Sequence, residues 1–64
     1  MILYIIEVGI YYSNYSSIEK VYKKKFNAIN YLKNEGYKFN KVSKLWLNKK
    51  SELWAELVKE KTED

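Results

Sequence analysis

Leu53–Lys59 reads LWAELVK, and the fold turns on whether this run is a helix or a strand. As a helix, Ser51 would cap its start, Glu52 would favour its dipole, and Leu53/Leu57 and Trp54/Val58 would pair at i,i+4. As a strand, Leu53, Ala55 and Leu57 would alternate with Trp54, Glu56 and Val58. Local propensity favours helix, because Leu, Ala, Glu and Lys dominate. Immediately upstream, Leu45–Leu47 is a brief apolar run and NKKS at 48–51 reads as a turn.

The rest of the chain is less divided. Ile2–Tyr12 is rich in β-branched and aromatic residues and reads as a strand. Ile2, Tyr4, Ile6, Val8 and Ile10 form a wholly apolar core face, with Leu3, Ile5, Glu7, Gly9 and Tyr11 on the other. The first half of that second face is also apolar, which predicts a central strand partly covered on both sides, with Gly9 marking a bulge. SNYSS at 13–17 is turn chemistry. Ile18–Lys24 then reads as an antiparallel edge strand, with Ile18 and Tyr22 on one side and Glu19, Val21 and Lys23 on the other.

From Phe26 to Glu35 the period becomes helical. Ala28, Ile29, Leu32 and Gly36 share a face, opposite Asn27, Asn30 and Asn34. Gly36 is placed to end the helix in a left-handed conformation. Lys23–Lys25 offer no capping side chain at its start. Tyr37–Val42 is a connection with a short extended piece at Tyr37–Phe39.

The run from Tyr4 through GIYYSNY and SIEKVY, followed by AINYL, GY-x-x-N, LWLN and LWAEL, resembles a group of short proteins of unknown function from tailed phages of Gram-positive bacteria. Their pattern is a Y-S-D/N-Y loop, then I-x-x-V-Y/F, then a helix with an Ala and aromatic stripe. Gly9, Tyr12, Ser13, Asn14, Tyr15, Ile18, Val21, Ala28 and Tyr31 stand at matching places, and the resemblance runs from Tyr4 to Leu57. It departs at the helix start, where Lys23, Lys24 and Phe26 replace a small hydroxyl residue and an acid. The resemblance implies an aromatic C-terminal hairpin and so tips Leu53–Lys59 toward strand. The expected fold is α+β in ββαββ order, a small antiparallel sheet on one helix, with a helical C-terminal segment as the alternative. The context implied is a host cell's cytoplasm, where compact phage proteins inhibit host enzymes or defence proteins by occupying a surface.

Composition sets the remaining bounds. Sixty-four residues give one small domain, expected over residues 1–60 with a frayed polar tail at 61–64, and little surface to bury. The chain has no Cys and no His, which removes disulfides, thiolate metal sites and the commonest catalytic base. No phosphate-binding glycine loop or divalent-metal spacing occurs, and Glu7 and Glu19 are expected several rungs apart. The expectation is a protein that is not an enzyme and needs no cofactor or metal. The apolar N-terminal run is too short to span a bilayer.

Binding remains. Tyr11, Tyr12, Asn14 and Tyr15 have the composition of a recognition loop, and Trp46 and Trp54 are expected to meet across the C-terminal hairpin as a second patch. The expected partner is a host or defence-system protein, with homo-oligomerisation along a sheet edge as a further option. The alternative is nucleic acid. All twelve cations are lysines and the net charge is +4, so Lys23, Lys24, Lys25, Lys49 and Lys50 could contact phosphate while rings stack on bases. Against it, the chain has no Arg, and Lys, Asn, Tyr and Ile make up nearly half of it, as AT-rich coding would favour.

Overall fold

Leu53–Lys61 is a strand in the middle of a sheet. The computed structural model describes residues 1–62. In chain order it comprises β1 (Ile2–Ile10), β2 (Ser16–Tyr22), α1 (Lys25–Asn34), β3 (Lys38–Asn40), β4 (Leu45–Asn48) and β5 (Leu53–Lys61). Every pairing is antiparallel, and the strands lie in the order β2-β1-β5-β4-β3. The α+β class holds, but the element order is ββαβββ rather than ββαββ, because the extended piece after the helix pairs with β4 as a strand of its own.

Helix propensity loses at β5 for a non-local reason. β1 is nine residues long and pairs with β5 along its whole length, from Ile2↔Lys61 to Ile10↔Leu53. A helical C-terminus would strand one edge of β1 with unpaired backbone groups beside the core. The pairing also secures part of the expected frayed tail. Lys61 lies in β5, and the Thr62 amide donates to the Met1 carbonyl at 2.8 Å. The remainder of that tail, residues 63 and 64, lies outside the described residues.

The helix packs Ala28 and Leu32 onto the sheet, forming a core with Ile6, Tyr37 and Ala55. Its end is the glycine stop expected from sequence. Gly36 has φ of 93°, the Tyr37 amide donates to the Leu32 carbonyl at 3.0 Å, and the Gly36 amide donates to Lys33 at 3.1 Å. This pair of bonds, with Tyr37 and Leu32 both in the core, is the Schellman arrangement. The start has no side-chain cap, and Lys24 occupies the cap position.

Two sequence expectations about the first hairpin are corrected. Gly9 marks no bulge; the register shift falls between Ile6, opposite Lys20, and Glu7, opposite Ile18, so Glu19 is the extra residue. The bulge changes the phase of β2. Ile18 and Val21 therefore share a face with Glu7 and Ile5, while Tyr22 faces the helix beside Tyr4. Gly9 serves packing instead. It pairs with Trp54, whose indole ring lies where a Cβ on residue 9 would be.

The two C-terminal hairpins are copies of one sequence, N-K-x-S-x-L-W, at 40–46 and 48–54. Asn40 Oδ1 accepts from the amides of Val42 and Ser43, and Asn48 Oδ1 accepts from that of Ser51. The fifth residue of each copy, Lys44 and Glu52, takes positive φ (60° and 55°). Each copy is thus an asparagine-nucleated four-residue turn closed by a left-handed residue.

Gly9→Ala is expected to destabilise the chain by about 1–3 kcal/mol, the range for overpacking a filled site, as measured by urea unfolding. In a Trp54→Ala background the same change should cost far less, and equal costs in both backgrounds would show that the indole does not dictate the glycine.

Candidate functional site

One ten-residue helix packs on one side of the sheet, and no element among the described residues covers the other. That other side is apolar along four strands. β1 contributes Leu3 and Ile5, and β5 contributes Trp54 and Val58. Leu45 and Leu47 of β4 extend it, Leu47 lying opposite Trp54. Ile18 and Val21 of β2 complete it and are 64% and 49% exposed, while Leu3, Ile5, Trp54, Val58, Leu45 and Leu47 are half-buried. An antiparallel sheet with one solvated face ordinarily turns polar residues outward, and this one does so at few positions.

The charged groups on this face are mostly acids. Glu7 and Glu56 are directly opposite each other on β1 and β5, at the middle of the apolar field, and Glu60 lies opposite Leu3. Lys38 stands at the far edge, opposite Leu47. Glu7 Oε2 accepts a 2.6 Å hydrogen bond from the Ser16 hydroxyl. Directly opposed like charges destabilise an antiparallel pair. Glu19, by contrast, is close to Glu7 in the ladder but reaches the helix side, where its Oε1 accepts from the Tyr31 hydroxyl at 3.4 Å. The expected separation of several rungs is therefore wrong, yet the two carboxylates still cannot meet.

The tyrosine loop joins β1 to β2 at one end of the sheet. Tyr12 and Tyr15 are 86% and 69% exposed. Tyr11 is half-buried, packs edge-on against the Tyr12 ring at 6.2 Å, and buries its hydroxyl without a partner. Asn14 is exposed at the tip. The tryptophan pair expected across the C-terminal hairpin does not form. Trp46 is opposite Ala55 and Trp54 opposite Leu47, which puts the two indoles on opposite faces of the sheet. Trp46 lies on the helix side, tilted against Phe39 at 5.3 Å.

Of the lysines picked out from sequence, Lys23, Lys24 and Lys25 lead into the helix, and Lys49 and Lys50 sit in the turn between β4 and β5. Sequence adjacency does not single out Lys33, Lys38 and Lys44; the fold brings Lys33 and Lys44 to the helix-side surface near Lys25, with Lys38 joining them from the β3 edge.

On the helix side, the seam between α1 and β2 is electrostatically biased. Burial, helped by the nearby Glu19 and Glu35 carboxylates, pushes the Tyr31 hydroxyl up from 10.0 to about 12. Burial and the same two acids raise that of Tyr37. In both cases the neutral phenol is the form that fits the fold.

No family model, curated protein or solved structure matches this chain. Among the described residues, no helix is long and apolar enough to cross a membrane.

Because Glu7 and Glu56 oppose each other, Glu56→Gln is expected to stabilise the chain by about 0.2–1 kcal/mol at low salt, with a smaller gain at high salt. A lowered or unchanged urea midpoint at low salt would show that the pair is not strained. The raised Tyr31 value predicts alkaline destabilisation with a definite sign. The folded form holds the proton more tightly than the unfolded form, so this contribution is complete below pH 10 and lost as pH rises toward 12. Tyr31→Phe should flatten the decline of Tm over that window while leaving the part due to Tyr37; a parallel decline in the variant would remove Tyr31 from the account.

Proposed function

We propose that this chain is a non-enzymatic protein-binding module whose contact surface is the helix-free face of the sheet, with Tyr12 and Tyr15 at its end. The carrying observation is the apolar field from Ile18 to Leu45 with a Glu7–Glu56 pair at its centre. A chain this small has little apolar surface to spare for its core, and a large exposed apolar patch marks an interaction site. The acid pair defines the partner's chemistry: an apolar protein surface carrying a Lys or Arg that meets Glu7 and Glu56 on docking.

A second copy is a poorer fit than a foreign partner. A two-fold contact centred on this face would bring four carboxylates together. Resemblance of the loop and helix motifs to short phage proteins supports a host or defence-system protein in the host cytoplasm as the partner. The mode of action is then occupation of that protein's surface.

The test uses Ile18→Lys, Val21→Lys and Glu56→Lys, which alter exposed positions, alongside Tyr12→Ala and Tyr15→Ala. Partners captured by the wild-type chain from host extract are expected to be lost by the three lysine variants and weakened by the tyrosine variants, at unchanged melting temperature for Ile18→Lys and Val21→Lys. Equal capture by all of them would rule out this face. A concentration-dependent dimer abolished by the same changes would replace the foreign partner with a second copy.

A further inference from the structure

The helix side of the sheet is also only partly covered, and its free part has the opposite charge. α1 packs over β1 and β2, leaving the region above β4 and β3 open beside it. Lys25, Ile29 and Lys33, spaced i, i+4, i+8 on α1, form one wall of a cleft of about 720 Å³. Phe39 and Trp46 line its other side with Lys38 and Lys44, and every charged residue lining it is a lysine. The two rings are tilted by 59°, and Phe39 is 49% exposed, so the pair is partly open to a ligand.

A second cleft, of about 420 Å³, adjoins the first. It shares Lys38 and Phe39, adds Lys49 and Lys50, and again has no acid in its lining. Half of the chain's twelve lysines thus line one continuous strip that passes the exposed Phe39 and the half-buried Trp46. Lys23 and Lys24 line neither cleft.

We propose that this strip binds single-stranded nucleic acid, with a base against the Phe39–Trp46 pair and the flanking phosphates on the lysines. A free nucleotide or a fatty acid carries its charge at one end, fills one cleft and leaves the lysines of the other unmatched. A duplex keeps its bases stacked inside and cannot use the rings. An acidic peptide matches the charge but brings no flat faces at regular spacing. Stacking with point-charge cations, and no arginine fork to read base edges, gives binding indifferent to sequence. The first cleft lies on the helix side, while the second takes in Lys38 and Leu47 of the helix-free face and so rounds the β3 edge. Lys33, Phe39, Lys44 and Trp46 stand clear of Ile18, Val21 and Glu56, so either site can fail alone.

The experiment titrates the full chain against fluorescein-labelled oligo-dT and oligo-U of about twelve nucleotides, within the usual span of such sites. Both are expected to bind. Neutralisation of four phosphates would weaken binding by about fifty-fold between about 50 and 200 mM salt. Phe39→Ala should weaken it by roughly five-fold or more, and Lys33→Ala combined with Lys44→Ala should flatten the salt dependence. Quenching of tryptophan fluorescence should persist in Trp54→Phe and vanish in Trp46→Phe. The proposal is overturned by no salt-sensitive binding, by equal affinity for polyglutamate, by preference for duplex, by binding of AMP without oligonucleotide, or by quenching that depends on Trp54. Should Trp46→Phe not fold, the lysine and Phe39 variants decide the matter alone.

Discussion

A single short helix cannot cover a five-stranded sheet, and most of this protein's surface chemistry follows from that mismatch. A helix with its side chains is about 10 Å across, while strands repeat every 4.8 Å or so. One helix therefore shields about two strands of one face. Here α1 shields β1 and β2, and the small buried core of Ile6, Ala28, Leu32, Tyr37 and Ala55 sits beneath it. The helix side above β4 and β3 and the whole of the opposite side are left to meet something else. Apolar side chains remain on both uncovered regions, which is expensive in a chain of this length unless those regions are used.

Parity explains how the C-terminal repeat serves both regions. Paired positions on β4 and β5 sum to 101, as in Trp46↔Ala55 and Leu47↔Trp54. Two residues across this hairpin share a face only when one number is odd and the other even. A repeat of eight residues connects even to even, so each tryptophan must land on a different side. The same turn chemistry, copied once, thus supplies one indole to the first basic cleft and one to the acidic, apolar face. Gly9 is the complement of the second: without a side chain of its own, it lets Trp54 lie flat across β1 and tie three strands together.

Much of this was legible in the residues. The alternation of β1, the helix from about Phe26, the glycine stop at Gly36 and the uncapped lysine start all follow from local patterns, and each holds in the structure. The rest was non-local. LWAELVK has helical propensity, is expected as a strand only through the resemblance, and is one because it pairs with nine residues of β1. Alternation in β2 misled because a bulge at Glu19 shifts the phase, and no glycine or proline announces it. For the candidate surfaces, sequence found the exposed loop rings Tyr12 and Tyr15 but paired the tryptophans wrongly. It also gathered lysines by adjacency, whereas the clefts gather them from helix, strand and turn. The repeat at Asn40 and Asn48 was visible throughout, and counting its period would have separated the tryptophans.

Charge is sorted along with shape. The net charge of +4 is not spread evenly: six lysines line two adjoining clefts, and the centre of the bare face is a carboxylate pair. AT-rich coding would account for an excess of lysine over arginine, but it has no means of placing six of them around two adjoining clefts without an acid. Nor does it put two glutamates opposite each other in an apolar field, where folding alone would disfavour them. The sheet lies between the first cleft and the acid pair, and the second cleft rounds the β3 edge at a distance from Glu7 and Glu56. A polyanion and a basic protein surface would therefore be steered to different parts of the same small molecule. Both could then be held at once, and the sheet itself would be the bridge between them.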